Sequence, residues 1–191
     1  MTKKQNGHKI ARDYQLVADY VKQQRQRNKK IVLTQGSFDM LHIGHARYCK
    51  EAKSYGNILI VGVDSDQKIK ARKGEDRPIV PEDERLEMLT YLASVDLVVL
   101  KKLTAPKWEL IKIIKPDVLI ATKETYKPDQ IAKLEKICGQ VVILDPMAVT
   151  STSAKIRLLQ MGAAKKIKSV LTNKLINTIE EVLSELKGEK K

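Results

Sequence analysis

The sequence predicts an α/β fold: a Rossmann-like, doubly wound parallel sheet of about five strands in a single domain, with a C-terminal helical extension. Three observations lead there. Short β-branched runs alternate with helical segments through the middle of the chain. These runs are almost continuously apolar, as strands buried on both faces are. The first of them stops at Gly36, in a loop that feeds a helix.

The elements follow in order. Residues 1–29 read as a basic lead-in whose helix is marked by Leu16, Val17, Tyr20 and Val21 at helical spacing between Tyr14 and Arg27. Residues 30–161 read as the main domain. Its first strand is Lys30–Thr34, its first helix Gly44–Ser54 and its second strand Asn57–Val63. Asp64 to Pro81 is rich in Asp, Lys, Arg, Gly and Pro, and is expected to be a mobile surface loop of the kind that can act as a lid. A helix over Glu82–Ala93 has acidic residues in its first turn, where the helix dipole favours them. Strand Asp96–Leu100, helix Pro106–Lys115, strand Asp117–Ala121, helix Pro128–Cys138 and strand Gln140–Leu144 complete the alternation. Thr150-Ser-Thr-Ser153 then precedes a short helix, Ala154–Gln160. Residues 162–191 place Leu171, Leu175, Ile179, Val182, Leu183 and Leu186 on one stripe, to be covered by the domain or by the second subunit of a homodimer.

At 191 residues the chain suits one such domain and is too short for two catalytic ones. Only 4% of residues are aromatic, so the core must be aliphatic. No apolar run approaches the roughly 20 residues of a bilayer span, and Met1–Ile10 is polar where a secretory signal would be apolar. A cytoplasmic protein without a membrane partner is expected. Cys49 and Cys138 lack CxxC spacing, which points to reduced thiols rather than a disulfide or zinc site. The net charge of +13 is concentrated at the ends: residues 1–30 carry +7 and residues 162–191 carry +3. Solvated basic tails account for this better than a nucleic-acid surface does.

The chemistry concentrates between Gly36 and His45, which contains Ser37, Phe38, Asp39, His42 and Gly44. Gly36 and Gly44 allow close backbone approach, and a helix amino end offers N–H groups and a positive dipole to phosphate. His42 and His45, three apart, can point the same way and stabilise charge on an α-phosphate as pyrophosphate leaves. Their spacing to Cys49 also permits a metal site, but Cys49 falls on the core side of its helix, so no protein-bound metal is expected. Asp39 is expected to hold the loop rather than act as a base. Trp108 is read as packing.

The segment Gly-Ser-Phe-Asp-Met-Leu-His-Ile-Gly-His resembles the HxGH signature of the cytidylyltransferase-like nucleotidyltransferase superfamily. The resemblance runs over roughly residues 30–160, through Val61-Gly-Val-Asp-Ser-Asp66, Lys73-Gly-Glu-Asp-Arg-Pro78, Glu84-Arg85 and Ser151-Thr-Ser153. Within the superfamily it is most similar to the adenylyltransferase domain of bacterial ADP-heptose synthase, then to glycerol-3-phosphate cytidylyltransferase and FAD synthetase. The resemblance implies catalytic roles for His42, His45 and Lys73. It implies nucleotide contacts from Gly36, Ser37, Phe38, Asp39, Gly44, Ser151, Thr152 and Ser153, and acceptor contacts from Arg77, Arg85 and Lys123. It further implies Mg2+ carried with the NTP. The expected reaction joins an NTP, with ATP favoured, to a phosphorylated acceptor such as heptose 1-phosphate. Polyol phosphate with CTP and FMN with ATP are the alternatives, and a non-catalytic nucleotide-binding protein is the rival from another class. After the fourth strand the family's Lys-Gly-Gly-Asp-Tyr is replaced by Ala121-Thr-Lys-Glu-Thr-Tyr126, which implies a different acceptor pocket.

Overall fold

The computed structural model describes residues 9–145, 147 and 152–188; the side chains of 152–158, 160 and 186–188 fall outside the description. The chain divides into two units, Met1–Val149 and Thr150–Lys191.

In the first unit, six parallel strands form one sheet in the order β1-β4-β3-β2-β5-β6. They are β1 (Ile10–Ala11), β2 (Ile31–Gly36), β3 (Ile58–Asp64), β4 (Leu97–Lys101), β5 (Val118–Ala121) and β6 (Gln140–Ile143). The helices between them are α1 (Tyr14–Gln26), α2 (Ile43–Ser54), α3 (Asp66–Lys73), α4 (Glu82–Thr90), α5 (Glu109–Ile114) and α6 (Pro128–Glu135). Successive side chains of a strand face opposite ways, and the core divides accordingly. Val32, Leu59, Val61 and Val98 pack with Cys49 and Ala52 of α2 and with Leu86 and Leu89 of α4. Ile31, Leu33, Ile60, Leu97 and Val99 pack with α1, α5 and α6 through Val17, Val21, Leu110, Ile111, Ile114 and Leu134. Each fully buried aliphatic side chain contributes about 1.5–3 kcal/mol, and Leu33→Ala or Ile60→Ala would cost about 2–5 kcal/mol.

The chain turns back at β2. β3 and β4 add on one side of it and β5 and β6 on the other, so the loop after β2 stands at the switch point where doubly wound sheets bind ligands. The register sets the carboxyl edge: Gly36 pairs with Val63, and Asp64 with Lys101.

Three expectations need correction. The sheet has six strands because Ile10–Ala11, too short to show periodicity, pairs with β4 as an edge strand. The expected loop 64–81 contains helix α3, capped by the Ser65 hydroxyl accepting from the Lys68 N–H at 3.2 Å. Its composition hid it, since Ile69 is its one buried residue. The short helix and stripe after residue 150 are a single helix, α7 (Thr152–Gly188), through which Gly162 passes without a break. α7 is 37 residues long, and Leu171, Leu175, Ile179, Val182 and Leu183 of its stripe are exposed. The side chain of Leu186 lies outside the description.

Candidate active site

The residues after β2 are held in a shape that chain propensity alone disfavours. Phe38 and Met40 both have a φ of 48°, in the left-handed region that bulky residues rarely enter. Such strain persists only where surroundings over-determine it, and it clusters at functional sites. The Phe38 ring fills the space beside Gly36, where a Cβ would approach it to 3.2 Å. That contact is one reason for glycine there.

His42 is the N-cap of α2. Its Nδ1 accepts the Gly44 N–H at 3.1 Å, and His45 Nδ1 accepts the His42 N–H at 3.3 Å. The two rings lie 4.1 Å apart, and the His45 ring lies 5.5 Å from that of Phe38. An imidazole accepting at Nδ1 carries its proton on Nε2, a tautomer assigned from these partners. Burial, then the adjacent His42 ring, push the His45 pKa down to about 4 from 6.5, with Lys73 adding to the shift and Asp39 opposing it. His45 is therefore a neutral Nε2–H donor at pH 7, and the Gly44 N–H at the start of α2 is already engaged by His42.

Asp39 is buried and binds across the molecule. Its carboxylate accepts from the Ile79 and Val80 N–H groups and from the Arg77 guanidinium at 2.6 Å. Burial alone would raise its pKa; the Val80 and Ile79 bonds and Arg77 outweigh it and leave the group below its ordinary value. Asp39 thus holds the histidine loop against residues 77–80. Arg77, expected to bind the acceptor, is the partner in this pair.

Arg85, also expected to bind the acceptor, is engaged more fully. It is 1% exposed, and its guanidinium donates to the carbonyls of Val80, Ser37 and Asp64 and to the Asp66 carboxylate. With four hydrogen bonds made internally it is a clamp joining the ends of β2 and β3. Lys123 is solvent-exposed and pairs with the equally exposed Asp145 at 2.9 Å. Its side-chain bond to that carboxylate and the charge itself raise its pKa.

Lys73 ends α3 beside Gly74, whose φ of 95° turns the chain away. Desolvation, then the Arg72 and Arg77 charges, lower its pKa. Ser37 accepts a bond from Arg72 at 2.9 Å, and the same guanidinium reaches Asp64 at 2.9 Å. Asp64, buried, also accepts from Lys101 at 3.0 Å. Arg72, Asp64 and Lys101 were not singled out from the sequence, although the rule that ligands sit at strand carboxyl ends flags the last two. Beside them is a cavity of about 220 Å3 lined by Gln35, Gly36, Lys68, Trp108 and Tyr126 among others. Trp108, read as packing, lines this cavity, with a φ of 63° at the start of α5.

Ser151 lies outside the described residues, as do the side chains of Thr152 and Ser153 at the start of α7. Cys49 and Cys138 are buried free thiols, raised by burial to about 12 and about 11. Among the described residues no group of three or more His, Cys, Asp or Glu is arranged to hold a metal, and no helix is long and apolar enough to cross a membrane.

A doubly wound domain with strained loop and paired imidazoles at its switch point has the architecture of a nucleotide-binding α/β protein. Residues 33–157 match the cytidylyltransferase-like family, and the chain belongs to that family. Among curated relatives, it is 41% identical over 143 residues to the bifunctional protein HldE of Nitratiruptor sp., covering 75% of this chain and 30% of that protein. It is 40% identical over 153 residues to HldE of Yersinia enterocolitica, covering 78% and 32%. The chain thus spans under a third of the length of these relatives. Among solved structures, a lipopolysaccharide core biosynthesis protein from Thermoplasma volcanium superposes with a TM-score of 0.55 at 27% identity, over 63% of this chain and 99% of the other. Pantoate-beta-alanine ligase from Francisella tularensis shares the fold at a TM-score of 0.55 and 18% identity, over 71% and 66%.

Proposed function

We propose that this chain is a nucleotidyltransferase that joins an NTP, with ATP favoured, to a sugar 1-phosphate such as heptose 1-phosphate in the cytoplasm. An acceptor phosphate oxygen attacks the α-phosphorus in line, the bond to the bridging oxygen breaks, and pyrophosphate leaves. An ionised phosphate needs no base, so the protein's task is positioning and charge stabilisation.

The observation that carries the reading is the imidazole pair with both Nδ1 atoms tied to backbone. The remaining donor of His45, its Nε2–H, then acts on charge developing at the α-phosphate without any proton change, as pre-organised oxyanion donors do. His42 acts beside it, and Lys73 balances phosphate charge from the end of α3. Gly36, Ser37, Phe38 and Gly44 shape the nucleotide side of the loop, with Asp39 as its anchor, and Ser151, Thr152 and Ser153 are assigned to the nucleotide phosphates. Mg2+ would neutralise the triphosphate. Because Asp39 and Asp64 are engaged by cationic side chains, its ligands would be mainly phosphate oxygens and water, the usual pattern for this ion.

A pyrophosphate-release screen of four NTPs against sugar, polyol and flavin phosphates tests the proposal. Release with ATP and a heptose or hexose 1-phosphate is expected. Silence across every pair would overturn it, and CTP with a polyol phosphate or ATP with FMN would replace the substrate assignment.

A further inference from the structure

Exposed apolar side chains are unevenly shared between the two units. Among the described residues the first unit exposes six large hydrophobic side chains, whereas α7 alone exposes ten. Eight of those ten lie between Ile167 and Leu183, at the spacings of one, three and four that mark a covered helix face. A soluble monomer rarely leaves so continuous an apolar surface open to water, and where one occurs it marks a contact surface.

The helix itself also calls for a partner. Thr172, Asn173, Asn177 and Thr178 are weak helix formers in the middle of this stretch, and the Thr178 hydroxyl donates back to the Lys174 carbonyl at 2.9 Å. A helix of such residues draws its stability from the packing of its apolar face.

The charges say which partner. Residues 165–174 hold four Lys and no acid, and residues 175–185 hold three Glu and no base. A second copy running the same way would set like charges side by side. One running the opposite way sets Lys165, Lys166 and Lys168 along Glu180, Glu181 and Glu185. The stripe has the same symmetry: Ile167 and Leu183 stand eight positions either side of Leu175, and Leu171 and Ile179 four, so a two-fold axis at Leu175 lays the stripe on itself. A nucleic acid would gain from the lysines but meet the glutamates as well.

We propose that α7 is a self-association surface, pairing antiparallel with α7 of a second copy about a two-fold axis near Leu175. The pairing concerns α7 alone and holds whatever reaction the first unit carries out.

Sedimentation of the full chain at micromolar concentration should show a dimer. Leu175→Asp, which sets two carboxylates at the axis, should give a monomer whose first unit melts as in wild type. A chain with Lys165→Glu, Lys166→Glu and Lys168→Glu loses no apolar contact, yet its dimer should be at least tenfold weaker. An equal amount of a chain with Glu180→Lys, Glu181→Lys and Glu185→Lys should restore the complex as a mixed dimer. Orientation is read from Ile167→Cys and Leu183→Cys, which should form the mixed disulfide when oxidised together, both native thiols being buried. A monomeric native chain, or a dimer that survives Leu175→Asp, overturns the proposal, and disulfides formed only within each variant overturn the antiparallel arrangement.

Discussion

Asp39 and Asp64 are both buried carboxylates at the carboxyl edge, and they differ in what surrounds their cations. Arg77, the partner of Asp39, has a side chain 13% exposed; of the two partners of Asp64, Lys101 is 16% exposed and Arg72 is 55% exposed. The first cluster is closed, its acceptor capacity spent on Ile79, Val80 and Arg77. The second opens into a cavity. The same chemical pair thus fixes a loop in one place and presents positive charge in the other, the difference being access to water.

The comparison can be broken most directly by removing the carboxylates. Asp39→Ala should lower unfolding free energy by about 3–5 kcal/mol, since it strands a buried guanidinium; urea denaturation reads this. Asp64→Asn should cost less, because Arg72 can return to solvent and the amide oxygen can still accept from the enclosed Lys101. Equal losses would end the distinction. The next effect is catalytic. His42→Ala or His45→Ala should lower kcat about 100- to 1,000-fold, the usual cost of one oxyanion donor, with circular dichroism unchanged; near-normal turnover would remove the histidine pair from the mechanism.

A smaller effect concerns pH. The folded His45 pKa, about 4, lies below its unfolded value of 6.5. As pH falls from 6.5 to 4 the unfolded chain takes up the proton first, so stability should decline through that window. Asp39, held below its ordinary value, contributes stability above its unfolded pKa that is lost as pH falls through its lower folded value. His45→Gln should flatten the loss between pH 6.5 and 4, as thermal melts would report. The smallest expected effect is at Lys123. Its pair with Asp145 is exposed on both sides, and Lys123→Ala should leave both melting temperature and acceptor KM unchanged.

Much of the frame was legible in the sequence because buried parallel strands announce themselves as apolar runs. Five of the six strands were found this way, and the histidine loop by its glycines and histidines where the first of those runs stops. What was missed shares a cause. β1 forms only because β4 offers an edge, and α3 buries one side chain. Arg85 carries no mark in the chain of being enclosed by the backbones of Ser37, Asp64 and Val80. Trp108 and Asp64 are 44 positions apart and line one cavity only because α5 packs against the sheet. Local pattern shows which segments are strands, whereas partners drawn from different crossovers require the topology.

The two thiols have a use apart from any chemistry of the site. Cys49 and Cys138 are the only cysteines and both are buried, with thiolate formation suppressed by their surroundings. A thiolate-seeking reagent therefore finds little to attack in the native molecule. Labelling becomes a clock for opening, with Cys49 reporting on the α2 face of the sheet and Cys138 on the α6 face, so that the two sides of a single domain can be timed separately.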